Sequence, residues 1–418
     1  MMHLIDYLMR DAHYMSLLGI VMILGMALLF SRNRRKISIR LVGGAVLMQV
    51  LLSFLILKTN VGRDFFIQLS FAFKGLYEFA DAGSRFVFGG LADAGGAWGF
   101  VFAIKVLPVI VFFGALMSLL YHFGVVQVLV KSIACIIRPI LGTSGAETLS
   151  VAANSMLGQT EAPLLIRNYI ARMTDSEIFT VMVSGMAHLS GAIMAVYGMM
   201  GVPLVHLISA SIMAIPGAIL ISKILIPETE VPETMAGAHV KTERTSKNAL
   251  DAVASGTGDG LRLAVNVAAM LIAFISLIAL FDYVLFTSTS LLVSYDILTQ
   301  PLTLDLLFAK VFGWVALIIG VPWADSGAAG ALLGKKLVVN EFVAYSDFAK
   351  ALLSDRSKII LTYALAGFSN FSCIGIQIGG IGALCPEKRD TLVRLGFRAL
   401  LGGTLANLLN ATIVSLFI

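Results

Sequence analysis

The sequence predicts an all-α polytopic membrane protein built around an inverted repeat, and three observations carry that expectation. The 418 residues are 58% hydrophobic and only 13% charged, with a mean hydropathy of +0.91. A soluble domain of this length needs a charged shell, whereas this surface must tolerate hydrocarbon. Apolar runs of about the length of a bilayer crossing recur from end to end. Finally, two short stretches are polar where the chain should be oily: Gly158-Gln159-Thr160-Glu161-Ala162-Pro163 and Val339-Asn340-Glu341-Phe342. Each sets a carboxylate beside an amide. Ionisable groups at membrane depth are costly and as a rule face a cavity, so one such stretch in each half points to a site at the join of two repeats.

Taken in order, the crossings are expected at 15–30, 41–57, 100–121, 177–199, 202–226, 261–286, 358–384 and 391–418. That makes eight transmembrane helices. Two further apolar regions, 142–173 and 304–346, contain glycine breaks and the polar stretches, and read as re-entrant helical hairpins. Between the second and third crossings, Asp64, Gln68, Lys74, Glu78, Asp81 and Arg85 form a polar stripe of helical spacing among Phe65, Phe66, Leu69, Phe73, Leu76 and Tyr77. This is the pattern of an amphipathic interfacial helix. Residues 227–260 are the one long polar stretch and read as a cytoplasmic linker, ending in Gly256-Thr257-Gly258-Asp259-Gly260.

Arg32, Arg34, Arg35 and Lys36 follow the first crossing instead of preceding it, so that crossing is not a cleaved signal peptide. The positive-inside rule then places this loop in the cytoplasm and the N-terminus outside. Eight crossings return the C-terminus to the same extracytoplasmic side and put Lys388, Arg389, Arg394 and Arg398 inside as well. The net charge of +5 reports this topology and an attraction to anionic lipid, not a nucleic-acid footprint. Cys135, Cys373 and Cys385 lie in apolar contexts without metal or disulfide spacing. The short N-terminus suits a bacterial inner membrane.

The halves resemble each other. Residues 176–191 can be laid on 357–373 with one single-residue gap, pairing Gly185 with Gly367 and His188 with Asn370. Glu161 and Glu341 precede these segments by similar distances. Each unit is hairpin, crossing, crossing, and the linker crossing at 261–286 makes the copies inverted. In the first hairpin, Thr160 is a suitable N-cap and Pro163 is tolerated in a first turn, so a half-helix starts at the break. Asn340 before Glu341 repeats the device. Broken helices offer free carbonyls at one half-helix end and free N–H groups at the other. Asn154, Thr160 and nearby backbone carbonyls supply hard oxygen ligands for a small cation. Gln159, Glu161, Glu341 and Asn370 supply donors and acceptors for a neutral, hydroxyl-rich ligand bearing amides. The plainer readings are capping for Gln159-Thr160-Glu161, helix packing for Asn370 and Ser372, core packing for Phe368, and interhelical hydrogen bonding for Asn407 and Asn410.

At this point the motifs become specific. Gly-Gln-Thr-Glu-Ala-Pro at 158–163, Lys-Leu-Val-Val-Asn-Glu-Phe-Val-Ala-Tyr at 336–345 and Gly-Phe-Ser-Asn-Phe-Ser-Cys-Ile-Gly-Ile at 367–376 resemble the concentrative nucleoside transporters. Met-Ala-Ile-Pro-Gly at 213–217 and Gly-Val-Pro-Trp at 320–323 are similar too, and the likeness runs in order from about residue 32 to the end. The resemblance implies a sodium- or proton-coupled importer of nucleosides, a homotrimer whose scaffold holds mobile transport domains that move as elevators. The scaffold would be 1–125 and 261–290, and the transport domain 126–226 and 300–418. It implies that Gln159, Thr160 and Glu161 meet the nucleobase, that Glu341 and Asn370 meet the ribose, and that Phe368 lies near. Two positions depart. Cys373 stands where the family usually has a ribose-contacting Ser, and a thiol is the weaker partner, which implies altered ribose preference or a compensating role for Ser372. The resemblance implies a sodium site at Asn154, Leu157, Thr160, His188 and Leu189, and His188 stands where relatives usually carry Ser beside it. Imidazole is a poor sodium ligand and a capable proton carrier; with Asn154 and Thr160 intact, sodium is favoured over the proton. The alternatives are a transporter of another neutral solute, such as a nucleobase or sugar, and a membrane enzyme using Glu161, His188 and Glu341 as acid–base groups.

Overall fold

A computed structural model of the chain describes residues 13–93, 98–99, 101–235, 246–295, 297 and 299–418, and contains helices and no strands among them. Among the described residues, six helices are long and apolar enough to cross a membrane: Ile39–Lys58, Phe102–His122, Asp175–Met199, Leu204–Leu225, Ala249–Ser290 and Pro386–Ser415. His13–Leu29 and Phe371–Leu384 are apolar but shorter. Each of the eight expected runs overlaps one of these helices.

Helices α1 (His13–Leu29) and α2 (Ile39–Lys58) are followed by α3 (Asn60–Phe88), the helix whose polar stripe the sequence displays. Ser38 and Thr59 cap α2 and α3 by accepting from Leu41 N–H and Gly62 N–H. A short turn, α4 (Phe102–Lys105), leads into α5 (Leu107–His122).

The first repeat then runs through α6 (Val125–Leu141), α7 (Gly145–Asn154), a break, a 3-10 turn over Ala162–Ile166 and α8 (Arg167–Ile170). It continues with α9 (Asp175–Ala187), α10 (Gly191–Met199) and α11 (Leu204–Leu225). After α12 (Ala249–Ser294) the second repeat retraces the order. It comprises α13 (Leu304–Ile318), α14 (Ser326–Val338), a break, α15 (Glu341–Phe348), α16 (Asp355–Leu365), α17 (Phe371–Leu384) and α18 (Arg389–Ser415).

Four expectations change in detail. The segments 177–199 and 358–384 are each broken in two, with α9 and α10, and α16 and α17, separated at 188–190 and 366–370. The polar break of the second hairpin lies between α14 and α15, so α13, expected within that hairpin, is a flanking helix equivalent to α6. The half-helix starts align Ser190, not His188, with Asn370: Ser190 caps α10 through Ile193 N–H and Asn370 caps α17 through Cys373 N–H. A gapped alignment of apolar sequence cannot see which residue leaves helical geometry, and the caps do. Lastly, the stretch expected to be linker through 260 is helical from Ala249. Its glycines are packing residues. A Cβ on Gly256 would fall 2.5 Å from the Gly114 carbonyl, and one on Gly260 would fall 2.8 Å from Val111 Cα. This Gly-x-x-x-Gly face is what lets α12 lie directly on α5.

The interior is formed by α9, α11, α16 and α17 gathered around α18. Small residues permit it: Cβ atoms on Gly402 and Gly403 would strike Val183 and Met186. Helix α1 lies on α18 and α2 on α11, tied by buried polar contacts. Ser415 donates to the Ser16 hydroxyl at 2.6 Å, and Gln49 Nε2 to Asn410 Oδ1 at 2.6 Å. The two basic loops meet at one end of the molecule, where Arg32 and Arg394 both pair with Asp175, at 3.1 and 2.9 Å.

Candidate functional site

The two hairpin breaks differ in how the chain makes them. In the second, Asn340 turns fully extended and its side-chain oxygen accepts from Val343 N–H at 2.9 Å, so α15 begins with Glu341 in its first turn. In the first, Thr160 does not cap. Glu161 folds back instead, its Oε2 accepting from Gly158 N–H at 3.0 Å, and the chain re-enters as a 3-10 turn with Pro163 in its first positions. Proline fits there because a first-turn N–H has no partner to lose. Thr160 directs its methyl at α17, where a Cβ on Gly380 would lie 2.7 Å away.

One run of buried hydrogen bonds joins residues from both repeats. Gln159 Nε2 meets Cys373 Sγ at 3.3 Å. Cys373 N–H donates to Asn370 Oδ1 at 3.0 Å, as does the Ser372 hydroxyl at 2.6 Å. Asn370 Nδ2 donates to Glu341 Oε2 at 2.9 Å, and the Tyr197 hydroxyl donates to Glu341 Oε1 at 3.1 Å. Gln159, Glu341, Asn370 and Cys373 are all buried, Glu161 and Thr160 are exposed, and Phe368 and Ser372 are partly buried. The structure therefore brings Gln159, Cys373, Ser372, Asn370 and Glu341 together, whereas Glu161 bonds only within its own hairpin turn.

Three residues of this lining were missed in the sequence. Gln377 donates from Nε2 to Gln159 Oε1 at 3.1 Å and to the Met182 carbonyl at 2.9 Å, orienting the Gln159 amide. Its signal was available: an amide one helical turn beyond Cys373 in an otherwise apolar segment. Tyr197 had no such signal. Lys336 lies within the 336–345 motif and is buried beside the second hairpin break. Asn407, expected to join the last crossing to its neighbours, does so by donating to the Ala187 and Ala366 carbonyls at 2.8 and 2.9 Å.

The expected cation position lies where the first hairpin meets the break in the following crossing. Gly191 N–H donates to the Met156 carbonyl at 3.0 Å, joining the two interruptions, with buried Leu157 and Leu189 on either side. Asn154 Nδ2 donates to the Ser184 hydroxyl at 3.1 Å, while its Oδ1 is buried without a partner among the described residues. A bare amide oxygen at a half-helix end fits a hard monovalent cation. His188 is turned back on its own helix: Nδ1 lies 2.8 Å from the Ser184 carbonyl, a contact that requires Nδ1 to carry the proton. Its Nε2 is also buried without a partner.

Comparison with known proteins gives a consistent picture. The chain matches the family described as "Na+ dependent nucleoside transporter" over its N-terminal part at residues 18–91 and its C-terminal part at 206–415, with "Nucleoside recognition" between them at 103–204. It is 45% identical over 411 residues to an uncharacterized transporter of Haemophilus influenzae, covering 96% of this chain and 97% of that protein. The nucleoside permease NupC of Helicobacter pylori is 39% identical over 414 residues, covering 96% and 97%. Sodium/nucleoside cotransporter 1 of Rattus norvegicus is 36% identical over 431 residues, covering 99% of this chain and 65% of that protein. Among solved structures, CNTnw in an inward-facing substrate-bound state is 42% identical with a TM-score of 0.91, covering 98% and 100%. These relatives are transporters and permeases, not enzymes. Glu161, His188 and Glu341 are each hydrogen-bonded to a different partner: Gly158, Ser184, and Tyr197 with Asn370.

Proposed function

Because the chain belongs to the concentrative nucleoside transporter family, we propose that it imports nucleosides by ion symport, with sodium as the favoured ion. The observation that carries this reading is the hydrogen-bonded run Gln159, Cys373, Asn370 and Glu341, which draws amides and a carboxylate from both broken hairpins into one lining. Such a lining suits a base linked to a sugar, since it offers planar amide donors and acceptors at one end and a carboxylate for hydroxyl groups at the other.

Gln159, Thr160 and Glu161 address the base. Glu341 and Asn370 address the ribose, with Phe368 beside it. Cys373 is engaged with Gln159, so the ribose role of this turn passes to Ser372. Sodium takes Asn154 Oδ1 and backbone carbonyls at the Leu157 and Leu189 interruptions, a set that leaves His188 and Thr160 at its edge. A second reading, proton coupling at His188, is favoured by one observation, the unpartnered Nε2.

Movement follows an elevator scheme in which the two repeats, 126–226 and 300–418, travel together. The scaffold, 1–125 and 261–290, stays still, with α1 and α2 packed on the moving unit through the Ser16–Ser415 and Gln49–Asn410 contacts. Helix α12 exposes most of its apolar surface, as a homotrimer contact and a lipid face require. The deciding test is uptake of radiolabelled uridine or cytidine into proteoliposomes against pH, with and without sodium, for wild type and His188→Ser. The proposal fails if neither a sodium nor a proton gradient drives accumulation, and sodium coupling fails if uptake follows pH alone until His188 is replaced.

A further inference from the structure

The repeat relation leads from the cation position in the first half to an occupied position in the second. Asn154 closes the first arm of its hairpin and reaches Ser184, near the C-terminal end of α9. The related place in the second repeat lies between the last turn of α14 and the C-terminal end of α16. Lys336, 4% exposed, fills it. Its Nζ donates to the Ala364 carbonyl at 2.8 Å and to Asn407 Oδ1 at 2.9 Å. Asn407 Oδ1 also accepts from the Ser369 hydroxyl at 3.1 Å, and the Asn407 amide holds the Ala366 carbonyl. A half-helix C-terminus, its carbonyls and an amide oxygen are what a small cation seeks.

No ion pair accounts for the burial of this ammonium. Lys223 and Lys335, also buried, lie 2.7 Å from Glu147 and 2.6 Å from Asp347. Among the described residues Lys336 has no carboxylate within that range. One of its hydrogen bonds goes to Ala364, where the chain enters the 366–370 break that presents Phe368 and Asn370, and the other to Asn407, which itself holds Ala366 and Ser369 of that break.

We propose that Lys336 is a resident cation, a positioning residue that holds in the second repeat the place a coupling ion takes in the first. The Asn370 and Glu341 side of the site is thus set permanently, and only the Gln159 side depends on an ion. The inference rests on the ion-coupled reading above, and its test separates the two.

The probe is equilibrium binding of uridine to the purified full-length protein in lipid nanodiscs, measured alongside uptake by the wild type. Lys336→Ala removes the charge and leaves space, while Lys336→Met removes the charge and keeps the volume. Both variants are expected to bind uridine about tenfold more weakly or worse. Added methylammonium should restore binding in Lys336→Ala and not in Lys336→Met. Wild-type affinity in Lys336→Met, or no recovery of Lys336→Ala with methylammonium, overturns the proposal, since a packing role needs volume and not charge. A measurement on the wild type guards against misfolded variants: reversal potentials in proteoliposomes should give one monovalent ion or proton per nucleoside, and two would overturn it. Failure of the wild type to take up nucleosides at all would instead remove the transport reading.

Discussion

Gly185→Ala would place one methyl group between two amides. An ideal Cβ at Gly185 lies 2.5 Å from Gln377 Nε2 and 3.0 Å from Gln159 Cβ. Non-bonded heavy atoms of this kind rest at about 3.5 Å, so the Gln377 amide must retreat by about 1 Å. That carries its bonds to the Met182 carbonyl and Gln159 Oε1, 2.9 and 3.1 Å long, beyond hydrogen-bond range. Each is worth about 1 kcal/mol net, and Gln159 loses the group that orients it. A total of about 1–2 kcal/mol corresponds to a rise of about 5- to 30-fold in KM for uridine, read as tritiated uptake into proteoliposomes. A double-mutant cycle isolates the contact. In a Gln377→Ala background the struck amide is gone, only the 3.0 Å contact is left to relax, and Gly185→Ala should cost far less. Strictly additive effects of the two substitutions, or a wild-type KM in Gly185→Ala, would refute the reasoning.

Three further outcomes are expected. Glu341→Gln exchanges one acceptor oxygen for a donor facing Tyr197 or Asn370, both of which already donate to it. Losing one charge-assisted bond of about 1.5–3 kcal/mol, and about 1 kcal/mol of charge assistance from the other, should lower uptake by about 50-fold or more at unchanged expression and oligomer size; normal uptake would remove the ribose role. Gly256→Leu should separate α12 from α5 and lower the thermal unfolding temperature. Gly258→Leu, on an open face of the same helix, should not, and equal effects would contradict the packing assigned to Gly256. Asp325, in the loop between α13 and α14, is held below the usual carboxylate range by the hydroxyls of Ser354 and Ser357. A depressed folded-state pKa gives stability that is present above the unfolded value of about 3.9 and lost as pH falls through the folded one. Asp325→Asn should therefore lower Tm by about 1–2 °C at neutral pH, given its partial exposure. Melts recorded at intervals down to acid pH should show that difference fading, and a gap that persists unchanged would exclude ionisation as its source.

What the sequence determined by itself was whatever depends on one residue type in one local setting. Long apolar runs can only be satisfied in hydrocarbon or in a deep core, so the crossings were legible. Asn340 and Glu341 were legible because a cap and a carboxylate have no cheap explanation in the middle of apolar helix. The tertiary structure decided whatever depends on partners far away along the chain. Hydropathy reads straight through 188–190, since the break there is held by Gly191 bonding to Met156 in another segment. Thr160 has the chemistry of a cap, but Glu161 and Gly158 close that turn first. Gln377 and Gln159 are 218 positions apart and Tyr197 and Glu341 are 144, so no local pattern could pair them. Lys336 looks in sequence like a neighbour of the polar break, and only the carbonyl of Ala364 and the amide of Asn407 turn its ammonium into an interior fixture. Hydropathy is additive along a chain, whereas the worth of a buried polar atom is set by the one group across from it.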